Sequence, residues 1–137
     1  MEMNWVDSAC SFELVHEANG PGNLVFAEVE RGGVTELFTR FGERGVPAEK
    51  VVGNVVRKVR RYCKADAPVG EYWAGQRLLP LAIGAPLRTG GGEFRTLDLS
   101  EHAHSHSEIL RKFANVDLQV KTLGPDDVRM RVLRCKV

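Results

Sequence analysis

The stretch "SEHAHSHSEILRKF", residues 100–113, carries His102, His104 and His106, three of the chain's four histidines. Imidazole changes charge closest to neutral pH, and in its neutral form it is both a nucleophile and a metal ligand. On a strand the three rings would share one face, because side chains alternate. Two imidazoles so spaced can ligate one zinc, which makes His104 and His106 candidate metal ligands. A closed zinc site wants further ligands, and the acids at hand are Glu101 and Glu108. Local signals point instead to a helix. Ser105-x-x-Glu108 fits a capping box and predicts a helix start near Ser105. His102 and His104 then lie just ahead of free backbone N–H groups, a favourable place for a phosphate and for an imidazole acting on it. The plain alternative is a polar, solvated helix start.

A second group is basic. Arg57, Arg61 and Lys64 fall on one side of a helical stretch, with Lys58 and Arg60 flanking them. Such a patch contacts RNA phosphates, or simply ends a helix whose dipole favours cations there. The C-terminal stretch puts Arg129, Arg131 and Lys136 near a surface, open to the same two readings. Cys10, Cys63 and Cys135 are odd in number and form no C-x-x-C pair, which reads as a reduced chain with small core thiols. The "RTGGGEF" stretch lacks the G-K-[ST] ending of a phosphate loop and reads as a turn.

The elements that must position these residues follow from hydrophobic period. "SACSFELVHEANG", "NLVFAEVER" and "VTELFTRF" each alternate and are separated by glycine-bearing turns, predicting a three-stranded antiparallel meander. Over "VPAEKVVGNVVRKVRRYCK" the valines recur at three- and four-residue steps, which is helical. "EYWAGQRLLPLAIG" predicts another helix, with Tyr72, Gln76, Leu79 and Ile83 on one side and Pro80 kinking or shortening it. "EFRTLDLS", "SEILRKF", "VDLQVKTL" and "VRMRVLRCKV" then read strand, helix, strand, strand. The expected class is α+β, antiparallel sheets with packed helices in two small lobes, residues 1–66 and 67–137, joined near "KADAPVG".

Composition sets outer limits. The chain has 137 residues, 43% hydrophobic and 27% charged, enough for one domain or two lobes sharing a core. A net charge of +1 gives no global pull toward nucleic acid, so any basic function is local. No apolar run approaches the roughly 20 residues of a membrane span. "MEMNWVDSACSF" lacks the basic-then-apolar order of a secretory signal, so a cytoplasmic location is expected.

Three stretches together carry a family likeness. "ANGPGNLVFAEVERGGVTELFTRFGERGVPAEKVV", "APVGEYWAGQRLLPLAIG" and "EFRTLDLSEHAHSHSEILRKF" resemble, in order and spacing, the C-terminal part of RNA 3′-terminal phosphate cyclases. The resemblance implies a fold made of repeats similar to the C-terminal domain of translation initiation factor three. Residues 1–66 would resemble the later part of a domain inserted in the third repeat, and residues 67–137 the rest of that repeat. It also implies a chemistry, in which a histidine attacks ATP, in the presence of a divalent metal, and forms a histidyl-adenylate. AMP then passes to an RNA 3′-phosphate, and the neighbouring 2′-hydroxyl displaces it to close a 2′,3′-cyclic phosphate.

By the resemblance, His102 matches that nucleophile; Gln76, and Arg57 and Arg61 of the basic patch, are the candidates to contact nucleotide or RNA. His104 and His106 fall where the family more often carries a residue such as leucine and an asparagine. Gly75 stands where family members usually have an acid directly before the glutamine, so a carboxylate that could orient the histidine or a metal is missing. The family's first two repeats have no counterpart here. The expectation is therefore a cyclase-like segment that works on RNA 3′ ends only within a homo-oligomer or with a partner chain covering the bare faces. The alternative is a non-catalytic RNA- or protein-binding module that kept the fold.

Overall fold

A computed structural model describes residues 5–87 and 91–135. Part of the expected glycine-rich turn (88–90) and Lys136 lie outside the described residues. The chain is α+β; the described residues form two antiparallel sheets and three helices, with a 3-10 turn at Asp7–Ala9.

Strands β1 (Leu24–Arg31) and β2 (Val34–Phe41) pair over their full length, from Leu24 opposite Phe41 to Arg31 opposite Val34. Gly32 and Gly33 turn the hairpin with φ of 58° and 78°, which only glycine adopts freely. Alternation sends Ala27 and Phe38 inward, where helix α1 (Ala48–Lys64) covers them with Val55, Val59 and Tyr62. The expected third strand does not form. Phe12 and Leu14 alternate as a strand does, but Phe12 is 87% exposed and neither residue lies in a strand. A strand is a pairing rather than a local property, and here β1 and β2 pair with each other.

The second sheet has the order β3 (Gly92–Thr96), β5 (Asp127–Arg134), β4 (Val116–Gly124). Helices α2 (Glu71–Leu87) and α3 (Glu101–Phe113) pack on it, so the helix–strand–helix–strand–strand order stands. Its core joins Leu78, Ala82 and Ala85 of α2 and Leu110 of α3 to Phe94, Leu118, Met130 and Val132 of the strands. Asn115, with φ of 46°, reverses the chain after α3 in the left-handed conformation common past helix ends.

Two sequence expectations need correction. Pro80 does not shorten α2; the helix runs on to Leu87. The lost hydrogen bond is offset by packing of the buried side of the helix, Ala74, Leu78, Ala82 and Ala85, against the sheet. Tyr72, Gln76, Leu79 and Ile83 share one side of α2 as expected, and it is the exposed side. The cysteines are not core residues: Cys10 and Cys63 are exposed and Cys135 half-buried. At 100° per residue, Cys63 falls on the flank of the inward row Val51, Val55, Val59, Tyr62, and its thiol is exposed.

Candidate functional site on helices α2 and α3

Helix α3 begins earlier than the capping box predicts. Ser100 has extended backbone and its hydroxyl accepts a hydrogen bond from the Ala103 N–H at 3.2 Å, so Ser100 is the N-cap and Ser105 lies inside the helix. All three histidines are therefore helical. Positions four apart stack on one face, and the His102 and His106 ring centres lie 6.1 Å apart. Residues two apart point nearly opposite ways, so His104 diverges from both. The expected His104–His106 pair thus does not converge. Among the described residues no three His, Cys, Asp or Glu side chains come together as metal ligands.

His102 stands in the first turn of α3, exposed, at the positive end of the helix dipole. Across from it is Gly75 of α2, fully enclosed. A Cβ built on Gly75 would lie 4.0 Å from His102 Cδ2 and 3.9 Å from Ala103 Cβ, ordinary contact distances. The glycine is therefore not demanded by crowding, and a larger side chain there would reach toward the imidazole. Gln76, the next residue on α2, is exposed and lines a cleft with Trp73 and Arg77. Ala103, Ser107 and Leu110 are the buried side of α3, and the Ser107 hydroxyl donates to the His104 carbonyl at 2.7 Å.

The two arginines take different positions. Arg57 is exposed on α1, and its side chain donates to Asn54. Arg61 is bound up in acid: its Nε donates to Asp126 at 2.8 Å, and its guanidinium lies 3.6 Å from both Glu71 and Asp98. The hydrogen bond to Asp126 raises its pKa further above the ordinary arginine value, against a smaller opposing cost of burial. Arg61 thus braces α1 against the β4–β5 turn, the start of α2 and the segment after β3. Sequence patterning placed it with Arg57 because both share a helix side; its partners are 10 to 65 residues away in sequence and invisible to periodicity.

One charged residue escaped the sequence reading. Glu36 of β2 is only 5% exposed and accepts a hydrogen bond from the Gly70 N–H at the start of α2. Burial raises its pKa, outweighing the Gly70 N–H and the Arg77 charge, which lower it. A Cβ on Gly70 would fall 2.5 Å from a Glu36 carboxylate oxygen, so this glycine is required by the contact.

No protein-family model matches the chain. Curated proteins do. The chain is 38% identical over 116 residues to an RNA 3′-terminal phosphate cyclase of Ectopseudomonas mendocina, a match covering 85% of this chain and 33% of that protein. The cyclase of Ralstonia nicotianae is 39% identical over 104 residues, 76% of the chain and 28% of the relative. That of Pseudomonas fluorescens is 34% identical over 111 residues, 81% of the chain and 31% of the relative. The chain spans about a third of the length of these relatives. No described helix is long and apolar enough to cross a membrane.

Proposed function

Since the segment is related to the RNA 3′-terminal phosphate cyclases, we propose that it is the nucleophile-bearing part of such an enzyme, with His102 as the group that takes up AMP. A ring nitrogen of His102 attacks the α-phosphorus of ATP; a P–N bond forms and pyrophosphate leaves. A 3′-phosphate oxygen of RNA then attacks that phosphorus, freeing the histidine, and the 2′-hydroxyl expels AMP as the cyclic phosphate closes. Splitting one difficult displacement into such steps is what covalent catalysis achieves. The observation that carries this reading is the position of His102: exposed, in the first turn of α3, against α2 at Gly75. Gln76 and Arg57 are free to meet nucleotide or RNA, whereas Arg61 acts as a brace. A divalent ion, magnesium or manganese, would enter with the ATP phosphates, and no step here is assigned to it. Phosphoryl transfer depends on positioning and charge around the phosphates, which one imidazole does not supply. The segment therefore works with further polypeptide, as a homo-oligomer or with a partner chain, in the cytoplasm.

The second reading, a binding module without chemistry, draws on Gly75, which presents no carboxylate toward His102. A chimera decides between them: this chain in place of the matching segment of the Ectopseudomonas mendocina cyclase, given ATP, magnesium and RNA ending in a 3′-phosphate. Phosphatase-resistant product, formed faster in the Gly75→Asp chimera, supports the catalytic reading. An inert chimera beside an active parent favours the binding module.

A further inference from the structure

His102 and His106 stand about one helical turn apart on α3, their ring centres 6.1 Å apart and their planes inclined at 37°. Two imidazoles bound to one zinc ion at about 2.0–2.1 Å hold their ring centres roughly 5–6 Å apart. The observed spacing is therefore a small side-chain rotation away from a shared ion. Histidines at i and i+4 are the helical arrangement that presents two nitrogen ligands from one face. His104, two residues from each, points away from both and takes no part. The helix thus selects one pair out of three histidines that the sequence leaves equivalent.

The pair is open to an ion. His102 is exposed and His106 half-buried. Side-chain hydrogen bonds at this end of α3 come from Ser100 and Ser107, and among the described residues neither imidazole is engaged in one. On the α2 side, Gly75 presents no side chain, and even a Cβ there would come no closer than 3.9 Å to Ala103 Cβ or 4.0 Å to His102 Cδ2. Among the described residues no third His, Cys, Asp or Glu joins the pair. Two protein nitrogens then leave the remaining positions to water, an open site rather than a closed structural one. Imidazole ligands suit zinc and its transition-metal neighbours, whereas magnesium and calcium take oxygen. We propose that His102 and His106 together bind one divalent transition-metal ion of the zinc class, with water completing its coordination. The site stands on this geometry alone. Its consequence rests on the reading of His102 as the nucleophile. A neutral imidazole has one nitrogen lone pair to give, because its other nitrogen carries the proton. Given to the ion, that pair is not available to the α-phosphorus of ATP, so the occupied site is an unreactive form of the segment.

Calorimetric titration of zinc chloride into the full chain at neutral pH tests the site, with circular-dichroism melts checking that each variant folds. One ion per chain is expected, bound at least about tenfold more weakly after His102→Ala or His106→Ala and within about twofold of the original after His104→Ala. Cys10→Ser with Cys63→Ser, which removes the two exposed thiols, should also stay within about twofold. No zinc uptake, uptake indifferent to His106→Ala, or uptake that leaves with the thiols or with His104 overturns the proposal. In the chimera, zinc added with magnesium in excess should suppress covalent label from α-labelled ATP, and His106→Ala should keep its label in the same zinc. Label in the unsubstituted chimera that zinc leaves undiminished would overturn the unreactive form. An inert chimera beside a chain that still binds zinc through the pair would sink the catalytic reading and leave the metal site standing.

Discussion

The α1 lobe and the α2–α3 lobe each set helices against an antiparallel sheet, yet they enclose their sheets to different degrees. In the larger lobe two helices cover three strands, and Met130 and Val132 of the central strand are fully buried. In the smaller, one helix covers a hairpin whose other face shows Leu24, Phe26, Leu37 and Phe41 to solvent. Its core is completed by Ala67 and Leu97, which lie beyond the hairpin and α1 in sequence. A two-stranded sheet is marginal by itself. The smaller lobe thus depends on what α1 and β2 reach across to: Pro68 from Tyr62, Gly70 from Glu36, and Asp126 from Arg61. The candidate chemistry sits on the lobe that is better enclosed.

Breaking the smaller core is the strongest way to separate the two. Tyr62 is fully buried, packs tilted against Phe38 with ring centres 5.5 Å apart, and donates to the Pro68 carbonyl at 2.9 Å. Tyr62→Ala is expected to cost about 3–5 kcal/mol in urea unfolding. Hydrogen exchange should lose protection in β1, β2 and α1 first, with β5 keeping most of its own. Uniform loss across both sheets would mean that the lobes unfold as one unit.

A smaller effect probes the brace. Arg61→Ala should cost about 1 kcal/mol, because several carboxylates lose one shared, partly exposed partner. Arg57→Ala should stay within about 0.5 kcal/mol, having no such partners. Thermal melts of equal midpoint for the two variants would remove Arg61 from the inter-lobe contact. Smallest is the pH response of Glu36. Its folded pKa is raised, so its contribution to stability is full below the ordinary value of 4.5 and is lost as pH rises through the folded value. Glu36→Gln should flatten that decline in urea midpoints measured from pH 4.5 upward. An unchanged slope would show that the carboxylate is not held from solvent at Gly70.

Period and turn chemistry were enough to read most elements. The valine spacing of α1, the Gly32–Gly33 turn and the four-element order after α2 are local properties, and they stand. What failed depended on partners elsewhere in the chain. Phe12 to His16 alternates but pairs with no strand in the structure. Ser105-x-x-Glu108 matches a capping box, but Ser100 comes first with extended backbone and takes the cap. At the site, the three histidines at alternate positions suggested strand geometry, and the helix instead pairs His102 with His106. Glu36 gave no signal at all, since a glutamate in an alternating strand looks solvated until the Gly70 contact is known.

The most direct measurement is the covalent label on the chimera after incubation with α-labelled ATP and magnesium. Acid-labile label in the parent chimera, lost in His102→Ala and kept in His106→Ala, is the expected result. Label that survives His102→Ala, or disappears only in His106→Ala, would contradict the assignment of His102 as the nucleophile.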